Sequence, residues 1–386
     1  MPVENTSYRG KQILIGLQSD LTGNVLSKAV DISAFVTEFT SNETPQTKEV
    51  MPMSSGGQQS STITGSTKYN GTMNMSIPRA LLPLIIRGVY GKPTTSQALT
   101  ADAWATLTAT LKGDIVKLTG GKYLVAQNAG TTGATEPTIT TEVDYQDLAT
   151  LDGTVKWKVR NALYERLVHK TGFCTDKFVI IQRRGEGCGS LNVSDKIFEN
   201  VDLTYFTISK QDGAVAADQS IPFMAETVRR SSQVDFVDVT VTTTLNIRED
   251  YWKQDDILIR VNGAKYGTLL NFELTYTRNV TQADSTEPFK QIQYSDAPTL
   301  TGTGTIRYDP IEYEKLLPTQ KYDVTITFDG IDGEYALFEF PATQFHTPAE
   351  DIAGAREIWM KFEMKPTGNA TTPMGTVDIK TSLNIG

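Results

Sequence analysis

Residues Phe35 to Pro83, "FVTEFTSNETPQTKEVMPMSSGGQQSSTITGSTKYNGTMNMSIPRALLP", return in altered form from Phe272 to Pro318, "FELTYTRNVTQADSTEPFKQIQYSDAPTLTGTGTIRYDPIEYEKLLP". A slide of 237 positions sets Phe35 on Phe272, Thr40 on Thr277, Asn42 on Asn279 and Thr44 on Thr281. The same slide sets Thr62, Thr64 and Gly65 on Thr299, Thr301 and Gly302, which makes seven identities over 31 ungapped positions. A two-residue deletion then brings Leu81-Leu82-Pro83 onto Leu316-Leu317-Pro318. Each copy reads as a strand (Ala34 to Thr40; Asn271 to Thr277), a long polar loop, a second strand opening at Thr-Gly, and a short helix reaching Leu-Leu-Pro. A repeat of this length sets the architecture before any single element does.

The echo extends in both directions. Ile13 to Leu17 after Tyr8 parallels Ile257 to Val261 after Tyr251; Lys177 to Gly185 parallels Lys321 to Gly330, and Lys210 to Gly213 parallels Lys365 to Gly368. The copies differ after Leu-Leu-Pro, where the second needs 4 positions from Pro318 to Tyr322 and the first needs 95 from Pro83 to Phe178. The excess, about 90 residues, is enough for a small domain. The expected organisation is therefore a discontinuous first domain (1–91 and 172–227), an inserted domain (92–171) and a second domain (228–386).

Composition bounds the function. Of the 386 residues, 39% are hydrophobic and 21% charged, as in soluble globular chains. The net charge of −9 argues against general nucleic-acid binding, which needs clustered Lys and Arg. Two cysteines, Cys174 and Cys188, suggest a reducing compartment and no disulfide framework. No apolar run reaches membrane-spanning length, and Met1 to Gly10 lacks the basic start and apolar core of a secretory leader.

Strand patterns dominate, at Phe178 to Ile181, Val234 to Ile247, Asp323 to Phe328 and Ile358 to Met364. Helical patterns are confined to Ile77 to Val89, with Pro78 near its first turn, to Pro310 to Leu317, and to Ala349 to Ala355. The expected fold is mostly β: two tandem sandwich or barrel domains, each with a short flanking helix, plus a small inserted β domain.

The loops Asn42 to Ser61 and Asn279 to Pro298 lack apolar periodicity, and loops of that length are functional or disordered. Their sizeable apolar side chains, Val50, Met51 and Met53 in one and Phe289, Ile292 and Tyr294 in the other, are candidate contacts to a neighbouring subunit. On that reading the loops order only on assembly. The competing reading is a solvated hairpin tip that folds back on its own domain.

Little supports catalysis. Gly88 to Lys92 is followed by Pro93 where a phosphate loop needs Ser or Thr. Gly185 to Gly189 reads as a hairpin turn. His169, Cys174, Cys188 and His346 match no paired zinc-ligand spacing. There is no G-x-S-x-G and no H-E-x-x-H. The expectation is a non-enzyme without cofactor or metal.

The insertion carries Gly113-Asp114-Ile115-Val116, Tyr123, Ala129 to Gly133, Pro137 and Asp152-Gly153-Thr154-Val155-Lys156-Trp157, with Trp104 near its start. These residues resemble small three-stranded carbohydrate-binding modules of the chitin- and cellulose-binding type, which also decorate phage tail and fibre proteins. Tyr123, Tyr145 and Trp157 are candidate sugar-stacking residues, since a sugar's axial C–H face suits an aromatic ring. The alternative is that so small a domain needs these rings as its core.

With the paired blocks Phe35 to Pro83 and Phe272 to Pro318, and the closing strands Leu203 to Gly213 and Ile358 to Gly368, most of the chain resembles the tail tube protein of long-tailed, non-contractile bacteriophages. That resemblance implies rings of six β units stacked through long loops. A fused duplication implies three chains per ring, with the insertion projecting outward. It further implies as partners the chain itself, the tape-measure, tail-tip and terminator proteins, DNA passing without specific binding, and host surface glycans. The implied location is the virion tail, after assembly in the host cytoplasm. An acidic lining would repel DNA phosphates rather than hold them. The alternative is a polysaccharide-binding adhesin or tail-spike component acting through the insertion. A carbohydrate-active enzyme would need a further large domain beside the repeats.

Overall fold

The computed structural model describes residues 11–50, 61–98, 101–139, 148–149, 151–160, 165–170, 175–184, 196–210, 218–230, 237–246, 251, 257–265, 269–283, 291–294, 298–307, 320–329, 335–351, 359–368 and 373–381. The chain is mostly β, built on one ten-stranded and one eleven-stranded sheet. In chain order their strands are β1 (Lys11–Leu17), β2 (Leu21–Thr22), β3 (Val25–Asp31), β4 (Val36–Val50), β5 (Ser61–Ser76), β6 (Pro93–Ala98) and β7 (Glu165–Lys170). Next come β8 (Phe178–Arg184), β9 (Lys196–Leu203), β10 (Tyr205–Lys210), β11 (Asp218–Ala225), β12 (Thr227–Arg230) and β13 (Thr240–Asn246). The last are β14 (Ile257–Val261), β15 (Ala264–Lys265), β16 (Leu269–Thr277), β17 (Thr299–Arg307), β18 (Lys321–Asp329), β19 (Tyr335–Asp351), β20 (Trp359–Pro366) and β21 (Thr376–Thr381).

The two sheets share one plan. The first contains the path β3-β1-β8-β9-β11-β5-β4, and the second contains β15-β14-β18-β19-β20-β17-β16. Taken in chain order within each set of seven, both paths run second, first, fifth, sixth, seventh, fourth, third. The two halves of the chain also exchange edges. β10, from the first half, pairs with β16 at the end of the second sheet, and β13 lies parallel on β3 at the end of the first.

The ungapped Thr-Gly match does not carry into the ladders. Thr40 pairs with Thr72, whereas Thr277 pairs with Thr299, the residue aligned with Thr62; Thr62 itself pairs with Glu49 far along the hairpin. A Thr-rich return strand offers several near-equivalent registers, and the first hairpin is simply longer. The expected loops are also corrected. Asn42 to Val50 is strand paired with β5 from Ser61 onward, and Val280–Ala283 pairs with Gln291–Tyr294 as a separate two-stranded ribbon. Thr and other strand formers favour the extended backbone of these segments.

Helix α1 (Leu82–Val89) follows a 3-10 turn at Arg79–Leu81, with Pro83 in its first turn, so Leu-Leu-Pro opens the helix. Every residue of α1 but Arg87 is buried, as in a helix enclosed on all sides. Gly88 permits this: a Cβ there would sit 2.3 Å from the Phe178 ring. Arg87 turns to Asp176 at 2.8 Å. Residues 349–351, expected as helix, form the end of β19, and the helix expected at Pro310 to Leu317 lies outside the described residues.

One hydrophobic core runs through both sheets, from Ile13, Phe178 and Phe223 to Phe272, Phe338 and Phe362. The inserted domain has its own, formed by Leu118, Leu124, Ala126, Leu148, Val155, Trp157 and Val159. Strands β6 and β7 lie at the two ends of the segment 92–171. β6 pairs with β7, and β7 pairs with β21, so the stem of the insertion belongs to the second sheet. Excising 101–160 with a short linker should leave the melting temperature of the remainder within a few degrees of the parent. Excising 92–171 strips β21 of one of its two neighbours, β7, and should lower it clearly. Equal melting of the two deletions, followed by circular dichroism, would refute the stem assignment.

Candidate functional site

Among the described residues, no group of three or more His, Cys, Asp or Glu side chains could hold a metal ion. None of their helices is long and apolar enough to cross a membrane. The prominent local chemistry lies instead at strand edges, at the seam between the sheets, and in the inserted domain.

The seam forms where β10 adds to β16 over six residue pairs, Tyr205↔Thr277 to Lys210↔Phe272. Thr207 and Thr275 hydroxyls meet across it at 3.3 Å. At its end the Arg278 backbone N–H donates to Thr204 O at 2.8 Å. The Arg278 guanidinium, only 3% exposed, donates to Asp202 Oδ1 at 3.0 Å, Gly88 O at 3.0 Å and Leu203 O at 3.1 Å. Asp202, 0% exposed, also accepts from Lys177 and from Thr175 Oγ1. One planar cation thus ties α1, β9 and β16 together, a task suited to the rigid fork of arginine. Above it Tyr90 stacks on Tyr276, centroids 4.6 Å apart. Burial raises the Tyr90 pKa well above its ordinary value, and the Tyr276 phenol raises it further.

The expected contact residues fall as follows. Val50 ends β4, opposite Ser61. Ile292 and Tyr294 sit on the short ribbon, opposite Gln282 and Val280. Met51, Met53 and Phe289 lie outside the described residues, as does Tyr145. Tyr123 is half-buried, between Lys117 and Arg160 on its flanking strands.

Trp157 is only 1% exposed and fills the core of the inserted domain, so its face is closed to a sugar in this conformation. The indole N–H groups of Trp157 and Trp104 both donate to Asp152 Oδ2, at 2.9 and 2.8 Å, while Gly133 N–H donates to Oδ1 at 2.6 Å. Asp152 was missed as the centre of this domain, although the Asp-Gly-Thr turn signals it. Gly153 stands at φ +63, where a Cβ would lie 2.2 Å from Thr131 O. Asp152→Ala would leave the buried Trp157 indole donor unpaired, at about 1–3 kcal/mol, and the half-buried Trp104 donor with it. Hydrogen exchange should then accelerate across 101–160 and stay unchanged in the two large sheets; unchanged exchange throughout would contradict this role for Asp152.

A cavity of about 530 Å³ separates the inserted domain from the second sheet, lined by Asp102, Thr108, Thr110, Asp114 and Lys380 among others. Burial lowers the pKa of Lys380, and the nearby Asp114 opposes that shift.

No protein-family model matches the chain, and no curated protein matches it.

Proposed function

We propose that the chain is a structural protein that polymerises into stacked rings, three chains to a ring, forming the tail tube of a long-tailed, non-contractile phage. Its role is then a conduit for DNA, and it is not an enzyme. The observation that carries this reading is the shared strand order of the two sheets together with the seam in which β10, from the first half of the chain, closes the end of the second sheet. Two like units in one chain, already docked through a strand edge, are one step of a rotationally repeating wall, and closed rings are built from such head-to-tail contacts. The two β ribbons, one ending at Val50 and one carrying Ile292 and Tyr294, supply arms that contact the next ring. The inserted domain stands outside the wall on its β6–β7 stem.

The adhesin reading loses its best stacking residue to the core, since Trp157 is enclosed, and retains Tyr123. Negative-stain micrographs of concentrated purified protein test the tube reading: hollow tubes of uniform width are expected. Discrete small particles that bind immobilised polysaccharide would instead support the adhesin.

A further inference from the structure

We propose that the open edge of β4 is filled by the far half of β19 from a second copy of this chain, repeating between chains the seam that β10 and β16 make within one. The inference rests on the self-assembly reading above and names the strands of its copy-to-copy contact.

Three observations converge on this pairing. β4 and β16 occupy the same terminal place in their sheets, and β16 has its outer edge covered by β10. β4 pairs only with β5, so among the described residues its outer edge is open. Bulges at Val36/Glu38 and at Pro45/Thr47 bracket that edge, and the stretch between them is of a length with the six-pair internal seam. Its exposed side chains, Glu38, Thr40, Asn42 and Thr44, are polar. A long open edge of this kind is a template for an added strand, whose affinity comes from main-chain hydrogen bonds.

The donor is identified by the same logic. The run Phe198-Glu199, Thr204, Phe206 across β9 and β10 is matched by Phe338-Glu339, Thr343, Phe345 in β19, once the extra Asn200, at φ 50, is set aside as a bulge. In the first half this run passes the start of β8 and continues as β10 onto β16. In the second half β19 passes the start of β18 and continues to Asp351. There β20 flanks it on one side, and among the described residues no strand flanks the other.

The two seams are not equal in strength. Ser41 stands in β4 where the 237-position slide places Arg278, and Pro341 stands in β19 where the matched run places Asp202. The contact between copies therefore lacks the buried ionic tie, and dilution should separate rings into whole chains.

A benzophenone amino acid in place of Thr40, in an equal mixture of isotopically heavy and light chains, tests the pairing. After irradiation, mass spectrometry should find heavy–light cross-links from Thr40 to residues 343–351. Replacing Thr40 and Asn42 with lysine, in the otherwise unaltered chain, should raise the concentration needed for self-association at least tenfold with an unchanged melting temperature. Tubes whose cross-links run to another segment overturn this inference and leave the tube reading standing. A chain that gives no heavy–light cross-link and stays monomeric at high concentration overturns both.

Discussion

Arg278→Met should lower the melting temperature by roughly 5–10 °C, a large drop for a single charge. The guanidinium donates to Gly88 O, Leu203 O and Asp202 in two elements of the first half, and its removal leaves Asp202 fully buried with Lys177 and Thr175 as its partners among the described residues. Breaking a buried pair from one side costs about 3–5 kcal/mol, and the remaining lysine holds the loss near the lower figure. Arg278→Lys should recover only part of it, because an ammonium cannot reach three diverging acceptors in one plane. The double variant Arg278→Met with Asp202→Leu should regain most of the stability, since removing both partners also removes the orphaned charge. Thermal unfolding followed by circular dichroism decides this. A single variant within about 2 °C of the parent would show that the seam does not depend on the tie.

Tyr90→Ala should cost about 3–5 kcal/mol, the usual range for emptying a large aromatic site in a core. The ring is 0% exposed, stacked on Tyr276 and set edge-on to Phe338 at 6.1 Å, so the cavity would open where the two halves meet. Tyr90→Phe should be neutral or slightly stabilising, because the buried Tyr90 hydroxyl has no hydrogen-bond partner among the described residues. The same burial predicts a pH dependence. The folded-state pKa of Tyr90 is raised above 10.0, so the contribution is fully present below that pH. It is lost as the pH rises above 10.0, where the unfolded chain ionises first. Denaturant titrations should show a steeper alkaline loss for the parent than for Tyr90→Phe; identical alkaline limbs would contradict the assignment.

Much of the fold is legible in the sequence. The continuous apolar run at Phe178 to Ile181 became β8, buried on both faces, and the alternating run at Asp323 to Phe328 became β18, buried on one face. The apolar cluster after Pro78 became α1. The echoes of Ile13 to Leu17 in Ile257 to Val261 and of Lys177 to Gly185 in Lys321 to Gly330 fell on strands with the same place in their sheets, whereas the echo of Lys210 to Gly213 in Lys365 to Gly368 joined β10 to β20, which hold different places. Less legible were the long polar stretches. Their composition signals solvent exposure but is silent on pairing, so Asn42 to Val50 reads as loop although it is strand. The stem of the insertion was equally hidden. Nothing in Glu165 to Lys170 shows that it lies between β6 and the distant β21. Asp202 and Arg278 are ordinary charges in the sequence, and only the fold brings them to one buried point. Asp152 is the intermediate case: the Asp-Gly-Thr turn and two tryptophans were visible, but their convergence on a single carboxylate was not.

The most direct test of self-assembly is a cryo-electron-microscopy cross-section of whatever the purified full-length chain forms at high concentration. The strand order and the internal seam predict a hollow wall of six similar β lobes per ring, with outward projections from alternate lobes only, one for each of three chains. A solid or open particle, or a wall in which neighbouring lobes are unrelated in strand path, would contradict it.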